Sequence, residues 1–84
     1  MNKYDKLRNQ ILFGRSDANI DFNDLCQLLR YYGFDMRVKG SHHIFRKFGV
    51  EEKVNLQRDG NKAKPYQVRQ IRRIILKYQL GGEN

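Results

Sequence analysis

The chain has 84 residues, one cysteine and a formal net charge of +8. That length makes one small domain burying only about three-fifths of its unfolded surface, so a partner would add to its stability. No apolar run nears the roughly 20 residues that span a bilayer, and Cys26, being alone, excludes an intrachain disulfide. Residues 1–5 carry no apolar signal core, and a reducing cytoplasm is the expected compartment.

In chain order, Asn2 can cap a first helix in which Tyr4, Leu7 and Ile11 form one stripe, with Gly14 as its stop. Arg15–Asn19 is a polar connector, so residues 1–20 read as an N-terminal helical extension. Asp21 caps the next helix, and Asp24 suits its positive end. Phe22, Leu25, Cys26, Leu28, Leu29 and Tyr32 give that helix a broad apolar face, and Gly33 closes it. Cys26 at core spacing reads as a small buried hydrophobe.

Three strands are predicted next. Phe34–Val38 turns Phe34, Met36 and Val38 inward. His42–Phe48 is the second strand, and Lys53–Gln57 the third, with Val54 and Leu56 on its inner face. Short connections make an antiparallel meander with one packed face and one wet, basic face. Residues 58–64 are a turn-rich loop. Pro65 opens a last helix that runs to about Leu80, with Val68, Ile71, Ile74, Ile75 and Tyr78 inward. Arg69, Arg72, Arg73 and Lys77 then read as a solvated face, or else as a contact for RNA or a partner protein. Residues 81–84 are an expected disordered tail.

The charge is uneven. Residues 1–36 carry five cations and five acids, whereas residues 37–77 carry twelve cations and three acids. Such a basic half favours polyanions, nucleic acid first and an acidic protein surface second. A membrane surface is disfavoured, because the cations do not line an aromatic-rich amphipathic helix.

Both histidines fall in Val38-Lys39-Gly40-Ser41-His42-His43-Ile44-Phe45-Arg46-Lys47. Gly40-Ser41 reads as the turn between two strands. His42 then begins a strand beside that turn, in a cationic field. An imidazole there suits proton transfer on a phosphodiester, or serves only as a polar strand start. His42 and His43 are adjacent and point to opposite faces, so they cannot share a metal, and no Cys or carboxylate stands at ligand spacing. Neither a metal nor a cofactor is expected. Lys62, Lys64 and the amides at the start of the last helix form a second candidate phosphate site, or else a solubilising loop.

A helix ending Leu-x-x-x-Gly-Phe (Leu29 to Phe34), a strand, Lys39-Gly40-Ser41-His42, a hairpin and a Lys-x-Lys-Pro helix start resemble the HicA toxin family. The resemblance spans roughly Phe22 to Tyr78, and Gly-Ser-His is its most specific element. It implies an α+β, α-β-β-β-α fold like the double-stranded-RNA-binding domain, a three-stranded antiparallel sheet on two helices. Here the N-terminal helix is extra. It also implies a type II toxin–antitoxin toxin, an endoribonuclease acting on mRNA, with His42 catalytic and a HicB-like antitoxin as partner. Lys39, Gly40, Ser41, Arg46, Lys47, Lys62 and Lys64 are then the expected RNA-binding residues. Three places depart from the family pattern: residues 1–20, Leu56-Gln57-Arg58 where many members carry Pro-x-His, and Pro65-Tyr66-Gln67-Val68 where many carry Pro-Gly-Thr-Leu. The alternative is a non-catalytic RNA-binding module of the same fold.

Overall fold

In the computed structural model, which describes residues 1–82, the first helix, α1, runs Lys3–Phe13. Asn2 caps it, accepting from the Asp5 N–H at 2.9 Å, and Ile11 is fully buried. A short 3-10 turn, Asp17–Asn19, leads to helix α2, Phe22–Tyr31. The Asp21 carboxylate accepts from the Asp24 N–H at 3.0 Å, satisfying an orphan amide of the first turn. Gly33 follows at φ +95°, a conformation that side-chain-bearing residues rarely adopt.

Strands β1 (Asp35–Lys39), β2 (His42–Lys47) and β3 (Val50–Leu56) form an antiparallel sheet in that order. Helix α3 (Pro65–Tyr78) returns across β3. Phe45, Val54 and Leu56 project from one sheet face into a core with Phe22, Leu25, Leu29, Val68, Ile71 and Ile75. Helices α2 and α3 therefore cover that face, and α1 packs on both of them. This is the expected α-β-β-β-α arrangement with an added N-terminal helix. Burial of these side chains is the main favourable contribution, about 1.5–3 kcal/mol for each large one.

The structure departs from the predicted elements in several places. β2 stops at Lys47 and β3 starts at Val50, because Phe48-Gly49 makes the turn, with Gly49 at φ +88°. Val38 is on the helix side of the sheet but runs past the helices, so it is 54% exposed. Residues 58–64 hold a small hairpin, β4 (Arg58–Asp59) with β5 (Lys62–Ala63), turned at Gly60-Asn61. Backbone bonds tie this hairpin to the start of α2, from the Phe22 N–H to the Asn61 carbonyl and from the Ala63 N–H to the Ile20 carbonyl, both at 2.9 Å. α3 ends at Tyr78 rather than Leu80, with Gln79 left-handed at φ 54°. In the expected tail, Gly81 lies against the Tyr32 ring, and residues 83–84 lie outside the described residues.

Arg72 is not a solvated cation. Its Nε donates to the Ile11 carbonyl at 2.8 Å, and its guanidinium pairs with Asp17. It thus fastens α3 to the end of α1 and to the 3-10 turn. Near the other end of α3, the Tyr78 hydroxyl donates to Glu52 at 2.7 Å, and Lys77 pairs with the same carboxylate at 3.0 Å. Those two donors, Tyr78 foremost, hold the Glu52 carboxyl below the usual glutamate range.

Cys26 is 7% exposed, and burial pushes its thiol up to about 11. The thiolate is the reactive form, so at pH 8 the native thiol should react with a disulfide reagent roughly a hundredfold more slowly than the urea-unfolded chain. Equal rates in the two states would place this side chain outside the core.

Candidate functional site

Gly40, at φ +61°, makes the tight reversal between β1 and β2. Pairing then sets Lys39 opposite His42, Arg37 opposite Ile44 and Asp35 opposite Arg46. Because side chains alternate, His42, Ile44 and Arg46 share the face without helices, whereas His43, Phe45 and Lys47 share the helix side. The first β3 partner of that open face is Asn55, opposite Ile44. Asn55 reaches diagonally to His42, with Oδ1 3.0 Å from Nδ1.

This contact has a chemical consequence. An amide oxygen can only accept, so in the neutral ring the tautomer that bonds Asn55 is the one with its proton on Nδ1. That tautomer carries its unshared pair on Nε2, on a ring that is exposed.

His43 faces the opposite environment. Its ring stands edge-on to Phe22, with centroids 5.0 Å apart and planes at 81°. Its Nδ1 is shut off from solvent and has no hydrogen-bond partner among the described residues. Arg58 lies over the Phe22 ring, 4.7 Å from its centroid, and donates to Asn23 at 2.9 Å. His42 thus faces outward and His43 is packed, on opposite faces as their adjacency in a strand predicts.

The turn is anchored through β3. The Gln57 side chain donates to Ser41 Oγ at 3.2 Å. Gln67, on the first turn of α3, is buried, and its carboxamide bonds the Gln57 backbone twice, accepting from N–H at 3.0 Å and donating to C=O at 3.1 Å. A buried polar group satisfied in this way pins one partner to another. The start of α3, with Lys64 as its cap residue and Pro65 next, is therefore held beside the outgoing end of β3.

Of the expected RNA-binding residues, Lys39, Gly40, Ser41 and Arg46 lie with His42 along the β1–β2 hairpin, Lys39 and Arg46 on its open face. Lys47 does not join them. It lies on the helix side, its ammonium over Gly33 at the C-terminal end of α2, where unsatisfied carbonyls favour a cation. Lys62 and Lys64 are both half-buried, on β5 and at the α3 cap. Sequence reading missed Asn55, Gln57 and Gln67. Asn55 was readable as an outward residue of the third strand. Its pairing with His42 needed the strand register, which spacing alone does not supply.

Among the described residues no group of three or more His, Cys, Asp or Glu side chains could hold a metal ion. No helix among them is long and apolar enough to cross a membrane. Neither the curated proteins nor the solved structures offered a match. A family model described as the HicA toxin of bacterial toxin–antitoxin systems matches residues 22–78. That match runs from the first residue of α2 to the last of α3 and takes in the hairpin bearing His42, which is well over half of the sequence. The chain accordingly belongs to the HicA family of toxin–antitoxin toxins.

Proposed function

We propose that the chain is an endoribonuclease toxin, an mRNA interferase, in which His42 is the general base. The observation that supports this reading is the Nδ1–Asn55 contact at 3.0 Å on an exposed ring, which in the neutral form of His42 selects the tautomer with its unshared pair on Nε2. Nε2 takes the proton of a ribose 2′-OH. The 2′-oxygen then forms a bond to the adjacent phosphorus, and the bond from phosphorus to the 5′-oxygen breaks. The departing 5′-oxygen recovers a proton from the imidazolium or from water, and the upstream fragment ends in a cyclic phosphate.

The extra negative charge on the phosphoryl oxygens needs cations fixed nearby. Lys39 stands opposite His42 in the hairpin and is the cation placed to meet that charge, whereas Arg46, two rows along the same strand face, is placed for a more distant phosphate. The nucleophile belongs to the substrate, so the step requires no metal-activated water. Lys64, with Lys62 nearby, suits a second phosphate along the strand, but the helix start adds at most the Tyr66 amide, because Pro65 has no N–H and the Gln67 and Val68 amides are bonded to the Lys64 carbonyl. With one oriented acid–base group and a neutral orienter, turnover is modest. The same basic surface suits an acidic HicB-like antitoxin, and the site of action is the cytoplasm, where mRNA is found.

The test is to incubate purified protein with a long RNA, with and without chelator, beside a His42→Ala variant. Cleavage that persists with chelator and is lost in the variant, with circular dichroism unchanged, is the expected result. If the variant folds and cleaves as fast as the parent, His42 has no part in the chemistry. A chain that binds RNA and never cleaves it is a binding module of this fold.

A further inference from the structure

We infer that the open face of the three-stranded sheet is a track for single-stranded RNA, leading its backbone to His42. This rests on the proposed RNA-cleaving function and adds to it the form of the substrate and the residues that hold it. A shallow groove of about 610 Å³ crosses this face, lined chiefly by Arg37, Lys39, Ile44, Arg46, Lys53 and Asp35. Among the described residues none of its four cations pairs with a carboxylate. All four are exposed. Their attraction for an anion is therefore unspent within the fold.

The pairing makes the face a grid. Lys39 lies opposite His42, and Arg37 lies opposite Ile44, which lies opposite Asn55. Arg46 and Lys53 lie two residues further along β2 and β3 on the same face. Successive rows along a strand are about 7 Å apart, a step that one extended nucleotide spans. Cations thus recur at the backbone repeat of an extended strand, and His42 with Asn55 sits at one end of the rows. Asp35 and Glu51 fall at the opposite end, where two carboxylates end the favourable path.

The same geometry disfavours a duplex. The sheet face carries no protruding helix or loop to enter a groove, whereas duplex RNA is read by elements that reach across its minor groove. Apart from His42 itself, the three strands place no aromatic side chain on this face, so along the rows the bases find only Ile44 to rest on. Binding then depends on phosphates and on no particular base order. Arg37 and Lys53 attracted no notice in the sequence, because each reads as an ordinary outward residue of a half-buried strand. Only the register shows that they stand in line with His42.

The experiment uses the full chain carrying His42→Ala, so that RNA stays intact and binding is measured apart from chemistry. Fluorescence anisotropy compares a labelled single-stranded RNA with the duplex of the same sequence at several salt concentrations. Arg37→Ala combined with Lys53→Ala should weaken single-strand binding by roughly tenfold and reduce the slope of log affinity against log salt by about 1.4. Lys6→Ala, on the exposed side of α1, should change neither. The idea fails if the double variant keeps the affinity and the salt slope, as it would if an acidic protein were the true occupant of this face. It also fails if the duplex binds more tightly than the single strand. Placing the same two substitutions in the chain with His42 intact separates the claims: unaltered cleavage overturns the track alone, and weakened binding supports it whether or not His42 proves to be the base.

Discussion

Alanine in place of His42 should slow RNA cleavage by about 10²–10⁴-fold, the range over which a positioned general base acts. Alanine in place of Asn55 should cost far less. A neutral, solvent-accessible hydrogen bond contributes about 1 kcal/mol, or roughly fivefold in the fraction of rings held with Nε2 ready. The two losses should not add. Once His42 is gone there is no ring to orient, so the double variant should match His42→Ala alone. Asn55→Asp is the sharper probe. A carboxylate can only accept, so it keeps Nδ1 as donor, and it also favours the charged imidazolium. The variant should cleave well at high pH, and the acid limb of its rate profile should move to higher pH, since the base must be neutral. These outcomes are read from initial rates on a labelled RNA between pH 5 and 9. An Asn55→Asp profile superimposable on the parent would mean that Asn55 does not orient the ring.

Much of the architecture was legible because local and global signals agreed. In α2 the apolar residues fall on one face from Phe22 to Leu29, with a capping aspartate before them and Gly33 after, and nothing in the tertiary structure opposes that reading. α3 has Pro65 at its start and buried Val68, Ile71, Ile74 and Ile75 at helical spacing. The sheet followed from alternation in β2 and β3. The hairpin β4–β5 was not legible. Two-residue strands carry no periodicity, and their stability comes from bonds to Ile20 and Phe22, which lie about forty residues away in the chain.

The site divides in the same manner. His42 stood out because its type and its place beside a turn are both local properties. Asn55, Gln57 and Gln67 did not, since each acts on a residue distant in sequence. Lys47 shows the converse error. Proximity to His42 in the chain suggests a shared role, but strand alternation puts Lys47 with His43 and Phe45 on the helix side, opposite Val50. In the sequence Arg72 reads, with its neighbours, as surface charge. Nothing in a helical spacing reveals that one of four cations will meet a carbonyl of α1 and the carboxylate of Asp17.

Ile11→Ala should destabilise the folded chain by about 2–5 kcal/mol, because it empties a fully buried site. A domain of this length holds roughly 4–13 kcal/mol in all. The substitution therefore removes a large share of the total, and urea unfolding should show a midpoint shifted well down with an unchanged slope. Lys6→Ala on the same helix should stay within about 0.5 kcal/mol. The contrast matters because the family match begins at residue 22, which leaves α1 outside it. If α1 were an appendage, Ile11→Ala would behave like Lys6→Ala. The packing argues otherwise: Ile11 and Ile20 belong to the same buried cluster as Leu25, Val68 and Ile75. A chain shortened to residues 22–84 would lose both isoleucines together with Asp17. Arg72, only a quarter exposed at its side chain, would keep its charge without its carboxylate or the Ile11 carbonyl. A stranded, partly buried guanidinium adds its own penalty to the two cavities. The shortened chain should therefore lack a cooperative unfolding transition. The residues before the family match are then as much a requirement for presenting His42 as the hairpin that carries it.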